Sequence, residues 1–116
     1  MHNFQKLLFW QKSIVLTKEI YLLSRTISAD EKFGLISQMK RSAISIPSNI
    51  AEGSVRNTNK EFNHFLAIAL GSSFELQTQL ILSKEQNLLN EDSVQKILPE
   101  IIEIQKMIYS FKHNLN

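Results

Sequence analysis

A proline stands inside the run Arg41-Ser42-Ala43-Ile44-Ser45-Ile46-Pro47-Ser48-Asn49-Ile50-Ala51-Glu52-Gly53, whose apolar spacing is otherwise that of a helix. An interior proline removes one backbone hydrogen bond and crowds the carbonyl four residues back, at a cost of about 3 kcal/mol. A helix that keeps one needs local compensation. Pro47 frees the carbonyl of Ala43, and neighbouring hydroxyls or water must take up that acceptor. The run therefore specifies a geometry, although it names no activity.

Apolar periodicity places this segment among four helices separated by short polar breaks, over about 4–26, 30–55, 58–86 and 91–114 of a single domain, 1–116. In the first, Leu7, Trp10, Ile14 and Tyr21 gather on one side, adjoined by Phe4, Leu8, Val15 and Leu22. Phe9, Leu16, Ile20, Leu23 and Ile27 lie opposite. A helix apolar on two faces is covered from two sides, and in a bundle this small the second side is expected to meet another subunit. Ser28-Ala29-Asp30-Glu31 has capping-box spacing and is expected to open the second helix, whose stripe is Ile36, Met39, Ala43, Ile46 and Ile50. Gly53 suits a left-handed residue at its end. Thr58-Asn59-Lys60-Glu61 repeats the capping logic before the seam Phe62, Leu66, Ala69, Ser73, Leu76 and Leu80. Ala67, Gly71, Ser72 and Ser73 are small enough to admit a close neighbour. Asn90, followed by Glu91 and Asp92, caps the fourth helix, where Pro99 marks either a kink or the true start. Short connections between long helices give an all-α, antiparallel up-down-up-down four-helix bundle.

With 116 residues the chain can bury a core of ordinary size, and 43% hydrophobic with 21% charged residues is a globular composition. Cysteine is absent, which removes disulfides, thiolate metal sites and cysteine nucleophiles. The N-terminus lacks the pattern of a signal peptide, and no apolar run reaches the roughly 18 residues of a membrane span. The expected location is cytoplasmic.

Catalytic patterns are sparse. Glu61-Phe62-Asn63-His64 is one half of a di-iron signature, but no second Glu-x-x-His exists, and Glu61 already has a capping role. No nucleophile elbow or phosphate-cradling glycine loop is present. Glu52 and Glu75 are conceivable acid–base residues, yet they more readily accept hydrogen bonds from hydroxyls, amides or Arg41. The expectation is a protein without catalytic residues, cofactor or metal.

Charge is more suggestive. The net charge is only +2, but residues 1–60 hold nine Lys/Arg against four Asp/Glu, a balance of +5, while residues 61–116 carry −3. Such asymmetry marks either a basic face for an anionic partner or opposite charges meeting between packed helices. Candidate phosphate contacts are Lys40 and Arg41 on the second helix and Arg56 and Lys60 at the following turn. Lys6, Lys12, Lys18 and Arg25 on the first helix are candidates for the same contacts.

Gly34-Leu35, Gln38, Arg41, the run Ser45 to Gly53, Phe65-Leu66, Ala69, Gly71-Ser72, Glu75 and Thr78-Gln79-Leu80 form a further pattern, with Phe9-Trp10-Gln11 near the start. These residues resemble the four-helix-bundle family encoded by intervening sequences of bacterial 23S ribosomal RNA genes, the S23-type ribosomal proteins. A related protein is the accessory variability protein of diversity-generating retroelements. The resemblance implies a homopentamer without a catalytic centre. For the retroelement relatives it implies binding to RNA and to a reverse transcriptase through a basic surface. It also implies that Pro47, Asn49, Glu52 and Gly53 serve the helix rather than a ligand. The functional expectation is a non-enzymatic oligomer that binds structured RNA or a nucleic-acid-handling protein, with no membrane partner. The competing expectation is a protein-only scaffold that never touches nucleic acid.

Overall fold

In the computed structural model, residues 1–28 and 34–115 are described. Four helices carry almost all of them: α1 (Leu8–Ser24), α2 (Leu35–Ser54), α3 (Asn59–Glu85) and α4 (Glu91–Asn114), preceded by a single 3₁₀ turn, Phe4–Lys6. The Ser28 to Glu31 capping box falls largely outside the described residues. Within them, α2 begins after Gly34.

Each helix packs against its two sequence neighbours around the bundle, and α1 closes the circle against α4. Cross-helix contacts fix the directions. His2 just before α1 meets Ser54 and Thr17 meets Ala43; Ser45 meets Ser72 and Met39 meets Ser83; Gln77 meets Gln105 and Asn63 meets Lys112; Lys12 meets Glu103, and Glu19 shares a cleft with Lys96. Adjacent helices are antiparallel, the arrangement that short connections impose. The core holds Leu16 and Ile20 of α1, Met39, Ile46 and Ile50 of α2, Phe62, Leu66, Leu76 and Leu80 of α3, and Ile101, Ile104 and Ile108 of α4, all essentially inaccessible to solvent.

The first helix is shorter than its periodicity predicts. Asn3 accepts a hydrogen bond from the Gln5 amide, closing the 3₁₀ turn, and Leu7 is extended (φ −76°, ψ 121°), so the α-helix starts only at Leu8. Thr58 accepts from the Glu61 amide and Asn90 from the Ser93 amide, each satisfying a free donor at a helix start.

Both prolines lie inside unbroken helices. Pro47 is buried, so the Ala43 carbonyl it releases cannot rely on bulk water. The hydroxyl of Thr17 on α1 approaches that oxygen at 3.2 Å while lying 2.7 Å from the carbonyl of Ser13. Pro99 is exposed, and so is Gln95, the residue four positions back, where solvent can serve. It neither starts nor ends α4.

Gly53 has no left-handed backbone, since no glycine among the described residues has positive φ. Its role is proximity: a Cβ there would stand 2.5 Å from Cβ of Phe65 and 2.9 Å from Cδ1 of Phe62. The left-handed residue is Asn87, at φ 60°. Its amide bonds the Lys84 carbonyl at 3.0 Å, and the Leu88 amide bonds the Ser83 carbonyl at 2.8 Å, which closes α3 with a Schellman motif.

Candidate nucleic-acid interface

The α1–α2 flank concentrates positive charge. Lys18 precedes Tyr21 and Leu22 by three and four residues, and Arg25, the C-cap of α1, follows them by four and three, so the four share one face. With Thr17 and with Ile44 of α2 they line a cleft of about 610 Å³. Lys40 reaches across from α2 and places its ammonium 5.1 Å from the centre of the Tyr21 ring, within cation–π range. Lys40 and Arg41 precede Ile44 by four and three positions, which puts both on the α2 rim of the cleft. Among the described residues, none that lines it is acidic. Lys18, Arg25 and Arg41 are exposed.

Arg56 and Lys60 stand elsewhere. Glu52, one turn before Arg56, is about 18 Å along α2 from Lys40 at 1.5 Å per residue. Arg56 donates to Glu52 at 2.8 Å and stacks over Phe65, its guanidinium carbon 4.7 Å from the ring centre. Its charge is thereby partly answered within the chain. Lys60 is exposed in the first turn of α3. Lys40 and Arg41 thus stand apart from Arg56 and Lys60, toward opposite ends of α2. Lys18 and Arg25, rather than Arg56 and Lys60, accompany Lys40 and Arg41. The helical phase shared with Tyr21 was the available signal. Lys12 is diverted into an ion pair with Glu103 of α4 at 2.7 Å.

The residues considered for acid–base or metal chemistry are scattered. Glu52 serves Arg56 rather than Arg41, and Glu75 is exposed. His64 is exposed beside Phe65, their ring centres 5.6 Å apart. Among the described residues, no group of three His, Asp or Glu side chains is placed to hold a metal ion.

One carboxylate escaped sequence reasoning. Glu19 lies on the side of α1 that meets α4, in a cleft with Leu22, Leu23, Ser93, Lys96 and Ile97. Burial pushes its carboxyl up to about 7. A hydrogen bond with Glu100 and that residue's negative charge add to the rise, and Lys96 opposes it.

Two apolar faces remain uncovered. Leu8, Val15 and Leu22 recur every seven residues along α1 and are each more than half exposed, at 54%, 53% and 59%. On the far side, Phe74 of α3 with Ile102 and Tyr109 of α4 line a second apolar cleft. The small residues of α3 divide between two roles: Ser72 and Ser73 are buried, while Ala67 and Gly71 are exposed and nothing stands within 4 Å of a Cβ placed on Gly71. By length and composition α3 is apolar enough to cross a membrane, because uncharged Ser, Thr and Gln separate its apolar residues. A third (33%) of its most apolar window is already buried inside the bundle.

A family model described as "23S rRNA-intervening sequence protein" matches residues 5–110. Among solved structures, a protein of unknown function from the S23 ribosomal protein family of Bacteroides thetaiotaomicron is similar. It is 25% identical, with a TM-score of 0.85 over 90% of this chain and 98% of the other. No protein of curated function matches.

Proposed function

The chain belongs to the 23S rRNA-intervening sequence protein family, and from that premise we propose that it is a non-enzymatic cytoplasmic oligomer that binds structured RNA or a ribonucleoprotein partner. The observation that supports this reading is the α1–α2 flank, where Lys18 and Arg25 line a cleft with Tyr21, Lys40 stands over the Tyr21 ring, and among the described residues no lining residue is acidic. Cations held at fixed helical spacing match the repeating charge of a phosphate backbone, and they give affinity with little base selectivity. One such flank on a subunit of net charge +2 is weak. Repeated around an oligomer, it becomes multivalent. Self-assembly is supported by the uncovered stripe Leu8, Val15 and Leu22, and five copies are proposed because that is the number the family resemblance implies.

The test is binding of the purified protein to a structured RNA across a salt series. Submicromolar affinity that falls steeply with salt is the expected result. Absence of binding at low salt overturns the RNA reading. It would favour a protein-only scaffold, the alternative that the two uncovered apolar faces support.

A further inference from the structure

The α1–α2 cleft holds more than charge. Tyr21 is half-buried and lines it together with Leu22 and Ile44, which are 59% and 46% exposed. A face that met only a phosphate backbone would gain nothing from an exposed leucine, isoleucine and aromatic ring between its cations.

The other rings near cations lack part of this combination. Trp10 packs edge-on against Phe4, their ring centres 5.1 Å apart. Phe65 lies under Arg56 and beside His64, and Arg56 is paired with Glu52. Tyr109 is exposed, but its cleft with Phe74 and Ile102 has Lys106 as the one lining cation among the described residues. At Tyr21, Lys18 and Arg25 both line the cleft, and Lys40 stands 5.1 Å from the ring centre. Among the described residues no carboxylate lines it.

We propose that this cleft holds one unpaired nucleotide of an RNA loop or bulge, its base stacked on Tyr21 and its flanking phosphates met by Lys18, Arg25 and Lys40. This rests on the RNA reading above and narrows it to RNA that presents an unstacked base. Bases in a duplex stack on one another, whereas those of loops and bulges splay out and are taken up by aromatic side chains. The cleft volume, about 610 Å³, falls within the roughly 300–1,000 Å³ of small-ligand sites. The cation–π contact of Lys40 is weak where the partners are partly exposed, so the ammonium exchanges the ring for a phosphate as the base arrives. The Thr17 hydroxyl is engaged with the carbonyls of Ser13 and Ala43, and Leu22 and Ile44 are apolar. Recognition therefore falls to the π-face that every base has, which makes the site tolerant of sequence.

The test is binding of the full chain to a blunt RNA duplex and to the same duplex carrying one bulged 2-aminopurine, across a salt series. The bulged RNA is expected to bind about tenfold more tightly, the worth of one stacked base, with its fluorescence quenched. Tyr21→Leu is expected to remove the preference and the quenching while leaving duplex affinity and the salt slope unchanged. Tyr21→Phe is expected to keep both. Should Tyr21→Leu fail to fold, Ile44→Glu decides, because it puts a carboxylate into the same cleft from α2 and is expected to remove the preference. Equal affinity for the two RNAs without quenching overturns the nucleotide site and leaves the RNA reading standing. A preference that survives in a folded Tyr21→Leu or Ile44→Glu overturns its placement in this cleft. No binding of either RNA at low salt overturns the RNA reading and the nucleotide site together, and leaves the cleft to an acidic segment of a protein.

Discussion

The hydroxyl of Thr17 lies 3.2 Å from the carbonyl oxygen of Ala43, the acceptor that Pro47 deprives of its helical partner. One helix thus repairs a vacancy in its neighbour's hydrogen bonding, and the repair locks the register of α1 against α2. The hydroxyl has one proton and two carbonyls within reach, Ser13 at 2.7 Å being the other, so the bond to Ala43 is shared. Thr17→Val keeps the shape and leaves the Ala43 oxygen without a donor, an expected loss of about 1–2 kcal/mol. In a Pro47→Ala background the restored amide of residue 47 can bond that oxygen, and the same Thr17→Val change is expected to cost less. A double-mutant cycle by urea unfolding measures the coupling. A coupling energy of zero would show that the two residues act independently.

Gly53 and Gly71 look alike in the sequence and differ in the fold. A methyl group on Gly53 meets Cβ of Phe65 at 2.5 Å, a clash that only movement of α2 away from α3 relieves. Gly53→Ala is expected to destabilise by about 2–3 kcal/mol. Gly71 faces open space inside a helix, so Gly71→Ala is expected to stabilise the single chain by about 0.5–1 kcal/mol. If Gly71→Ala instead weakens assembly while raising monomer stability, the open face of α3 is a subunit contact. Melting temperature and sedimentation of each variant separate these effects.

Much of the bundle was legible because burial imposes a period of 3.6 on apolar residues. The stripes containing Leu16, Ile46, Leu66 and Ile101 were readable before any coordinates. What escaped depended on contacts between distant parts of the chain. Nothing near Gly53 announces that Phe65 will press on it, so the glycine read as a helix terminator. Nothing near Glu19 announces its surroundings, because the cleft it shares with Ser93, Lys96 and Ile97 forms only when α1 docks on α4. The basic flank was half legible: Lys40, Arg41, Lys18 and Arg25 were all candidates from charge, but which of the cations stand together emerges only once the antiparallel register brings Tyr21 under Lys40.

Asn87 is the residue that terminates α3. At φ 60° a side chain with a Cβ is strained, least so for asparagine and not at all for glycine. Asn87→Gly is expected to be neutral or stabilising by a few tenths of a kcal/mol, and Asn87→Val to cost about 1–2 kcal/mol. Equal melting temperatures for the two variants would contradict the Schellman closure between Asn87, Leu88 and Ser83.

The division of the cations into two sites predicts how RNA affinity is distributed. Lys18 and Arg25 line the cleft of Tyr21 and are exposed, as is Arg41 on α2, and among the described residues no carboxylate lines that cleft. Arg56 must first leave Glu52 and Phe65, a partial cancellation of its value to a ligand. Charge reversal at Lys18 and Arg25 together is expected to reduce affinity for structured RNA by about tenfold or more at low salt and to flatten the salt dependence, since each lost phosphate contact removes a released counterion. Reversal at Arg56 and Lys60 is expected to do markedly less. Tyr21→Leu, which retains the charges and removes the ring, separates stacking from phosphate contact: loss of affinity with an unchanged salt slope assigns a base to Tyr21. If reversal at Arg56 and Lys60 proves the more damaging, the binding surface lies at the α2–α3 turn and the α1–α2 flank is a solvated basic face.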